Sequence, residues 1–204
     1  MISNYEELND IQLDVLKEIG NIGAGNAATS LGKLLNEEVN IKLPTVKITD
    51  FDTAVNILGG AEAMSVGVLL NFFGEANGMI MFLLDMEKAR DITGIICGDT
   101  GEGLTDMKLS AIKEIGNIMG SAYINSIAVL TGLRIEMSVP YLAIDMAGAL
   151  LSVPVIEFGA IGDKVLFIEE GFFTANNELA SNVIMFAEVD TLRSIMGRLG
   201  LVDE

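Results

Sequence analysis

The sequence predicts an α+β fold in which two homologous halves build one pseudo-two-fold symmetric domain, with an antiparallel-rich sheet packed against two long helices. Two observations carry this reading. The hexamer Lys17-Glu18-Ile19-Gly20-Asn21-Ile22 recurs unchanged as Lys113-Glu114-Ile115-Gly116-Asn117-Ile118, an offset of 113 − 17 = 96 residues, and a fixed internal period marks a duplicated structural unit. Each copy lies in a long stretch of helically spaced apolar residues, followed by a proline and then by apolar runs of strand length.

The same offset carries Pro44 onto Pro140, since 140 − 44 = 96, so the register extends beyond the hexamer. A single domain over residues 1–204 is expected. Repeat one covers about residues 8–98, repeat two about 105–204, and the turn-rich run Gly98-Asp99-Thr100-Gly101-Glu102-Gly103 supplies a linker at about 99–104.

In the first repeat Leu13, Leu16, Gly20, Ala27, Leu31 and Leu34 follow helical spacing from about residue 9 to about residue 35, with Asn9 or Asp10 as cap. Pro44 then starts an extended run through Val46 and Ile48. Met64 to Phe73 and Met79 to Leu84 read as strands, joined by the hairpin connection Phe73-Gly74-Glu75-Ala76-Asn77-Gly78. Asp85 to Cys97 returns to helical character, with Asp85 as N-cap and Gly98 beyond the end.

The second repeat follows the same plan. A helix from about Leu109 to Leu130 precedes Pro140, strands are expected near Lys164 to Ile168 and Val183 to Val189, and a closing helix spans Thr191 to Leu199. Ile144 to Gly159 is ambiguous, with a helix over Asp145 to Ser152, interrupted or ended near Pro154, as the favoured reading. Each half alone, at under ~100 residues, would leave a sheet face or strand edge poorly covered, which favours one fused domain.

Composition narrows the function. With 12 Lys+Arg against 29 Asp+Glu the net charge is −17, which disfavours nucleic acid and anionic membrane surfaces as partners. The chain has no His, so imidazole-based nucleophilic catalysis and His-ligated zinc sites are excluded. The single Cys97 lies in an apolar stretch and reads as a buried reduced thiol. No signal peptide is expected at the N-terminus, and no apolar run approaches the ~18 residues of a membrane span; a cytoplasmic location follows as the expectation.

Each long helix carries a polar stripe. At 100° per residue, Asp14, Glu18 and Asn21 fall within about 60° of one another, opposite Leu13, Leu16, Gly20, Ala27, Leu31 and Leu34. Ser110, Glu114 and Asn117 repeat the geometry. For one Glu/Asn pair a solvated helix face is the default explanation. Repetition argues otherwise, because a solvated face accepts almost any polar residue and Asn is a mediocre helix former. The helical glycines Gly20, Gly23, Gly25, Gly116 and Gly120 each cost about 0.5–1 kcal/mol relative to Ala, and close packing is the expected compensation. Gly23-Ala24-Gly25 has no preceding strand and no Lys/Ser-Thr ending, so it is no phosphate-binding loop.

A carboxamide neither transfers a proton efficiently nor attacks, but it donates to and accepts from water; its chemistry is orientation. A carboxylate one turn away can act as a base or bind a partner's Lys, and spacing leaves that choice open. No metal cluster or phosphate cradle is evident in the chain, so a reaction needing Mg²⁺ would take it from the substrate. An acyl phosphate on a partner's Asp, already beside Mg²⁺ and Lys, needs only a placed water for in-line attack.

An acid or Ser, three spacers, Glu, two spacers, Asn, then twenty-two spacers and Pro resembles the motif of the CheC/CheX/FliY family of response-regulator phosphatases. Asp14, Glu18, Asn21 and Pro44 match one copy, and Ser110, Glu114, Asn117 and Pro140 the other; the resemblance covers essentially the full chain. It implies that Asn21 and Asn117 orient the attacking water while Glu18 and Glu114 pair with the active-site Lys of phosphorylated CheY, with Mg²⁺ on that regulator and no cofactor or metal bound by this chain. Asp14 and Ser110 would be accessory, and Pro44 and Pro140 structural, fixing the helix-to-strand turn. The resemblance also implies a second partner, the receptor deamidase CheD; it does not say which surface binds it, and the Asp145 to Glu157 segment is the candidate if it forms an exposed helix. No small-molecule substrate is expected.

Two other readings compete. The fold is similar to the flagellar switch protein's middle domain, so a non-catalytic binding or adaptor module is the alternative, against which the intact Glu/Asn pairs argue. A self-contained hydrolase using Glu18 and Glu114 as paired carboxylates would need the two stripes to face one another.

Overall fold

The structure, a computed structural model, describes residues 7–98, 101, 103–158, 164–173 and 178–201. Asp99, Thr100 and Glu102 of the expected linker lie outside the described residues. The order is α1 (Asp10–Leu35), β1 (Asn40–Asp50), α2 (Phe51–Ile57), β2 (Met64–Gly74), β3 (Gly78–Asp85) and α3 (Met86–Cys97), then α4 (Asp106–Thr131), β4 (Ile135–Met137), β5 (Tyr141–Met146), α5 (Ala147–Phe158), β6 (Lys164–Phe173), β7 (Glu178–Ala187) and α6 (Val189–Arg198). With β4 and β5 taken as one interrupted strand, the plan α-β-α-β-β-α occurs twice.

All seven strands share one sheet in the order β1-β6-β7-β3-β2-β4, with β5 also on β2, and every pairing is antiparallel. Exchanging each strand for its counterpart in the other half (β1 for β4/β5, β2 for β6, β3 for β7) reverses this order onto itself. The pseudo-two-fold axis therefore passes between β3 and β7, which pair from Gly78 opposite Ala187 to Leu83 opposite Asn182. The first strand of each half pairs with the hairpin of the other, β1 on β6 and β4/β5 on β2. The halves are thereby interlocked.

Helices cover both faces. In β3, Ile80, Phe82 and Leu84 turn toward the core beneath α1, α3, α4 and α6, while Met79, Met81 and Leu83 turn toward Val55 of α2 and Leu150 and Leu151 of α5. A strand buried on both sides needs apolar residues at every position, which is why Met79 to Leu84 shows no polar alternation. No helix among the described residues is long and apolar enough to cross a membrane.

Several expectations are corrected. β1 begins at Asn40, so Pro44 lies inside the strand and not at its start. Lys42 pairs with Gly171 and Thr45 with Glu169, three steps against two, so Pro44 sits in a one-residue bulge where its missing N–H breaks no ladder bond. Pro140 occupies the matching irregularity between β4 and β5: Met137 pairs with Phe72 and Tyr141 with Leu69, four steps against three. Both prolines interrupt an edge strand, and neither forms the helix-to-strand turn.

Asp145 and Met146 belong to β5, not to a helix. α5 starts at Ala147 and runs through the buried Pro154, because Leu150, Leu151 and Val155 pack against the sheet and offset the lost backbone bond. α4 starts three residues before Leu109, capped by Thr105. β7 ends at Ala187 and Val189 opens α6. α2 was not expected; Asp50 caps it by accepting from the Thr53 N–H at 2.7 Å, and Phe51, Ala54, Val55 and Leu58 had helical spacing that could have revealed it. Leu34, expected on the apolar face of α1, is 37% exposed, and Leu130 near the end of α4 is 39% exposed.

Candidate functional site

Both motif helices are built to lie close to what they cover. A Cβ on Gly20 would overlap the Val46 side chain of β1, and one on Gly116 would overlap Val68 of β2. Where the helices meet, a Cβ on Gly23 would run into the ring of the fully buried Tyr123. Close packing thus offsets the helix-propensity cost of these three glycines. Gly25 has nothing within 4 Å of its Cβ position, and no contact explains it.

With the glycine faces inward, the motif residues face outward. Glu18 and Glu114 are exposed, and Asn21 and Asn117 are half-buried. Asp14 is exposed and accepts from the Lys17 ammonium at 2.8 Å, an i,i+3 pair. Ser110 takes the equivalent place on α4 and is also exposed. Each stripe therefore offers a carboxylate free to meet a partner and, one turn on, a carboxamide whose motion is restricted by its neighbours.

The two stripes do not form one site. Asn117 lines a groove of about 440 Å³ between α4 and the C-terminal part of α1, with Asn26, Thr29 and Lys33 on one wall and Ser121 and Asn125 on the other. Lys33 is 33 − 21 = 12 residues beyond Asn21, about 18 Å along a helix axis, so Asn117 looks onto a part of α1 remote from Asn21. This placement does not bring Glu18 and Glu114 together as a carboxylate pair. Across the helix contact the Asn26 amide donates to the Ser126 hydroxyl at 3.1 Å.

The groove residues of α1 went unnoticed in the sequence, although Asn26, Thr29, Ser30 and Lys33 follow i, i+3, i+4, i+7 spacing and mark a second polar face. Among the described residues no group of three or more His, Cys, Asp or Glu side chains converges as a metal site.

The CheC-like family model matches residues 11–48 and 107–144, two segments separated by 107 − 11 = 96 residues, the offset of the hexamers. CheC1 of Halobacterium salinarum is 31% identical over 134 residues, spanning 64% of this chain and 68% of that protein. The chain belongs to the CheC-like family. A Bacillus subtilis relative named CheY-P phosphatase CheC is 29% identical over 206 residues, 98% of this CheC-like chain and 99% of that protein. The crystal structure of Thermotoga maritima FliY superimposes with a TM-score of 0.74 at 23% identity, covering 95% of this chain and 98% of the other. That likeness supports the fold. Both family-model segments end within the strands that carry Pro44 and Pro140, so motif helix and bulged edge strand travel together as the family's unit.

Proposed function

We propose that this CheC-like chain hydrolyses the aspartyl phosphate of a phosphorylated CheY-type response regulator. The observation that carries the reading is the duplicated outward-facing pair, Glu18 with Asn21 and Glu114 with Asn117, on helices whose opposite faces are held against the sheet through Gly20 and Gly116. Near full-length similarity to a protein named a CheY-P phosphatase supports it.

In this reading the carboxamide of Asn21 or Asn117 holds a water in line with the acyl phosphate. The water oxygen attacks phosphorus, the bond from phosphorus to the Asp carboxylate oxygen breaks, and inorganic phosphate and a free carboxylate result. Half-burial of the Asn side chains limits the positions from which they can hold that water. Glu18 or Glu114, being exposed, ion-pairs with the regulator's Lys and fixes the docking register. The first stripe carries two carboxylates, Asp14 (held by Lys17) and Glu18, and the second only Glu114, too few oxygens for a Mg²⁺ cage, and the divalent ion that neutralises the phosphoryl charge belongs to the regulator.

CheD is the second proposed partner. The surface offered is α5, where Val153 and Ile156 are 44% and 81% exposed on the sheet face opposite the motif helices. A cytoplasmic location fits both partners.

The test is decay of phosphorylated CheY in Mg²⁺ with the wild-type chain, Asn21→Ala, Asn117→Ala and the double variant. Accelerated decay that only the double substitution abolishes supports two working sites. Wild-type protein that leaves the decay unchanged, with or without CheD, refutes the phosphatase reading in favour of a binding module.

A further inference from the structure

The 96-residue repeat allows each position around one motif to be compared with its counterpart around the other, and the comparison is not even. Beside Asn117 the groove wall carries Lys33. Its counterpart at 33 + 96 = 129 is Val129, 83% exposed. The motif acid differs in the same sense. At the first stripe Asp14 holds Lys17 at 2.8 Å, whereas at the second Ser110 has no charge to offer Lys113. Among the described residues neither Lys33 nor Lys113 is within ion-pair distance of a carboxylate. With the equivalent helix-start acids Asp10 and Asp106 included, the first stripe (Asp10, Asp14, Lys17, Glu18) carries a net charge of −2, whereas the second (Asp106, Lys113, Glu114) is balanced to zero by Lys33 across the groove.

We propose that Lys33, reaching from α1 into the groove beside Asn117, is a specificity-determining cation of the second site, binding the anionic phosphoryl-bearing face of the partner. This rests on the phosphatase reading above. The chain's net charge of −17 opposes the approach of any anionic surface, so a local cation at the rim decides where such a surface settles. The remaining groove walls suit the same ligand class: the amides of Asn26 and Asn125 and the hydroxyls of Thr29 and Ser121 donate to phosphoryl or carboxylate oxygens. Lys33 touches the partner and not the water, so it acts on binding and leaves the hydrolytic step to Asn117.

The experiment isolates each site. In an Asn21→Ala background, where only the second site works, Lys33→Ala raises KM for the phosphorylated regulator roughly two- to fivefold at low salt, the range for one partly exposed charge contact. There kcat is held, the KM effect shrinks as salt is added, and Lys33→Arg restores KM. Lys42→Ala, which removes an exposed cation from β1 on the sheet edge, serves as the charge control and leaves KM unchanged. In an Asn117→Ala background, Val129→Lys lowers KM by installing the missing cation beside Asn21. If Lys33→Ala matches Lys42→Ala while the parent protein still accelerates decay, the role of Lys33 is refuted and the phosphatase reading stands. If the wild-type protein does not accelerate decay at all, both fall together.

Discussion

The ring of Tyr123, buried on α4, lies against the backbone of Gly23 on α1, where even a methyl group would overlap it. That contact sets how closely the two motif helices approach, and with it the walls of the groove beside Asn117.

Gly23→Ala is therefore expected to destabilise the protein by about 1–3 kcal/mol, because the overpacking strain exceeds the gain in helix propensity. Gly25→Ala, with open space at its Cβ position, is expected to be neutral or to stabilise by about 0.5–1 kcal/mol. Urea unfolding of the two variants compares them directly, and equal midpoints would contradict the close approach.

The helix caps differ in quality. Asn9 accepts from the Gln12 N–H at 3.0 Å while the Gln12 side chain accepts from the Asn9 N–H at 3.0 Å, a reciprocal box. At α4 the Thr105 hydroxyl accepts from the Lys108 N–H at 3.4 Å, beyond the usual hydrogen-bond range. Asn9→Ala should cost about 1 kcal/mol, and Thr105→Ala less. Chemical denaturation ranks the pair, and the reverse order would refute the argument.

Asp85 gives the fold a pH dependence. Burial raises its pKa, but the Lys88 N–H, the Lys88 ammonium and the Glu87 N–H together outweigh burial and leave the carboxyl below its ordinary value of 3.8. A carboxyl depressed in the folded state contributes stability that is present above its unfolded pKa and is lost as pH falls through the folded one. Because the side chain is 44% exposed, solvent screening keeps this contribution small. Asp85→Asn retains a cap but not the charge, so the stability gap between wild type and variant should be open at pH 6 and close below about pH 4. A gap that widens on acidification would show the sign to be wrong.

Glu and Asn of each pair should fail differently in the regulator assay. In an Asn21→Ala background, Glu114→Gln is expected to raise KM, since it removes the partner's ion pair and leaves the water-holding amide in place. Asn117→Ala in the same background should lower kcat toward the unassisted rate. Saturation kinetics of regulator dephosphorylation separates the two, and identical kinetic defects would argue against divided roles.

The sequence by itself determined that the chain is a duplication, where its long helices lie, and which residues recur on their outer faces. These are local or periodic properties: the 96-residue offset, the helical spacing through Leu16 and Leu31, and the caps at Asn9 and Asp85 all act over a few neighbouring residues or as plain repetition. Only the tertiary structure decided the rest. Pro44 could be assigned to a bulge once β1 was seen to pair with β6 of the other half, a partner more than a hundred residues away that no local pattern names. Pro154 stays helical because the sheet contact of Leu150, Leu151 and Val155 outweighs a propensity that, read alone, would end the helix. The neighbours of Asn117 are set by how α1 crosses α4 at Gly23 and Tyr123, so Lys33 joins that site through packing between elements far apart in the chain.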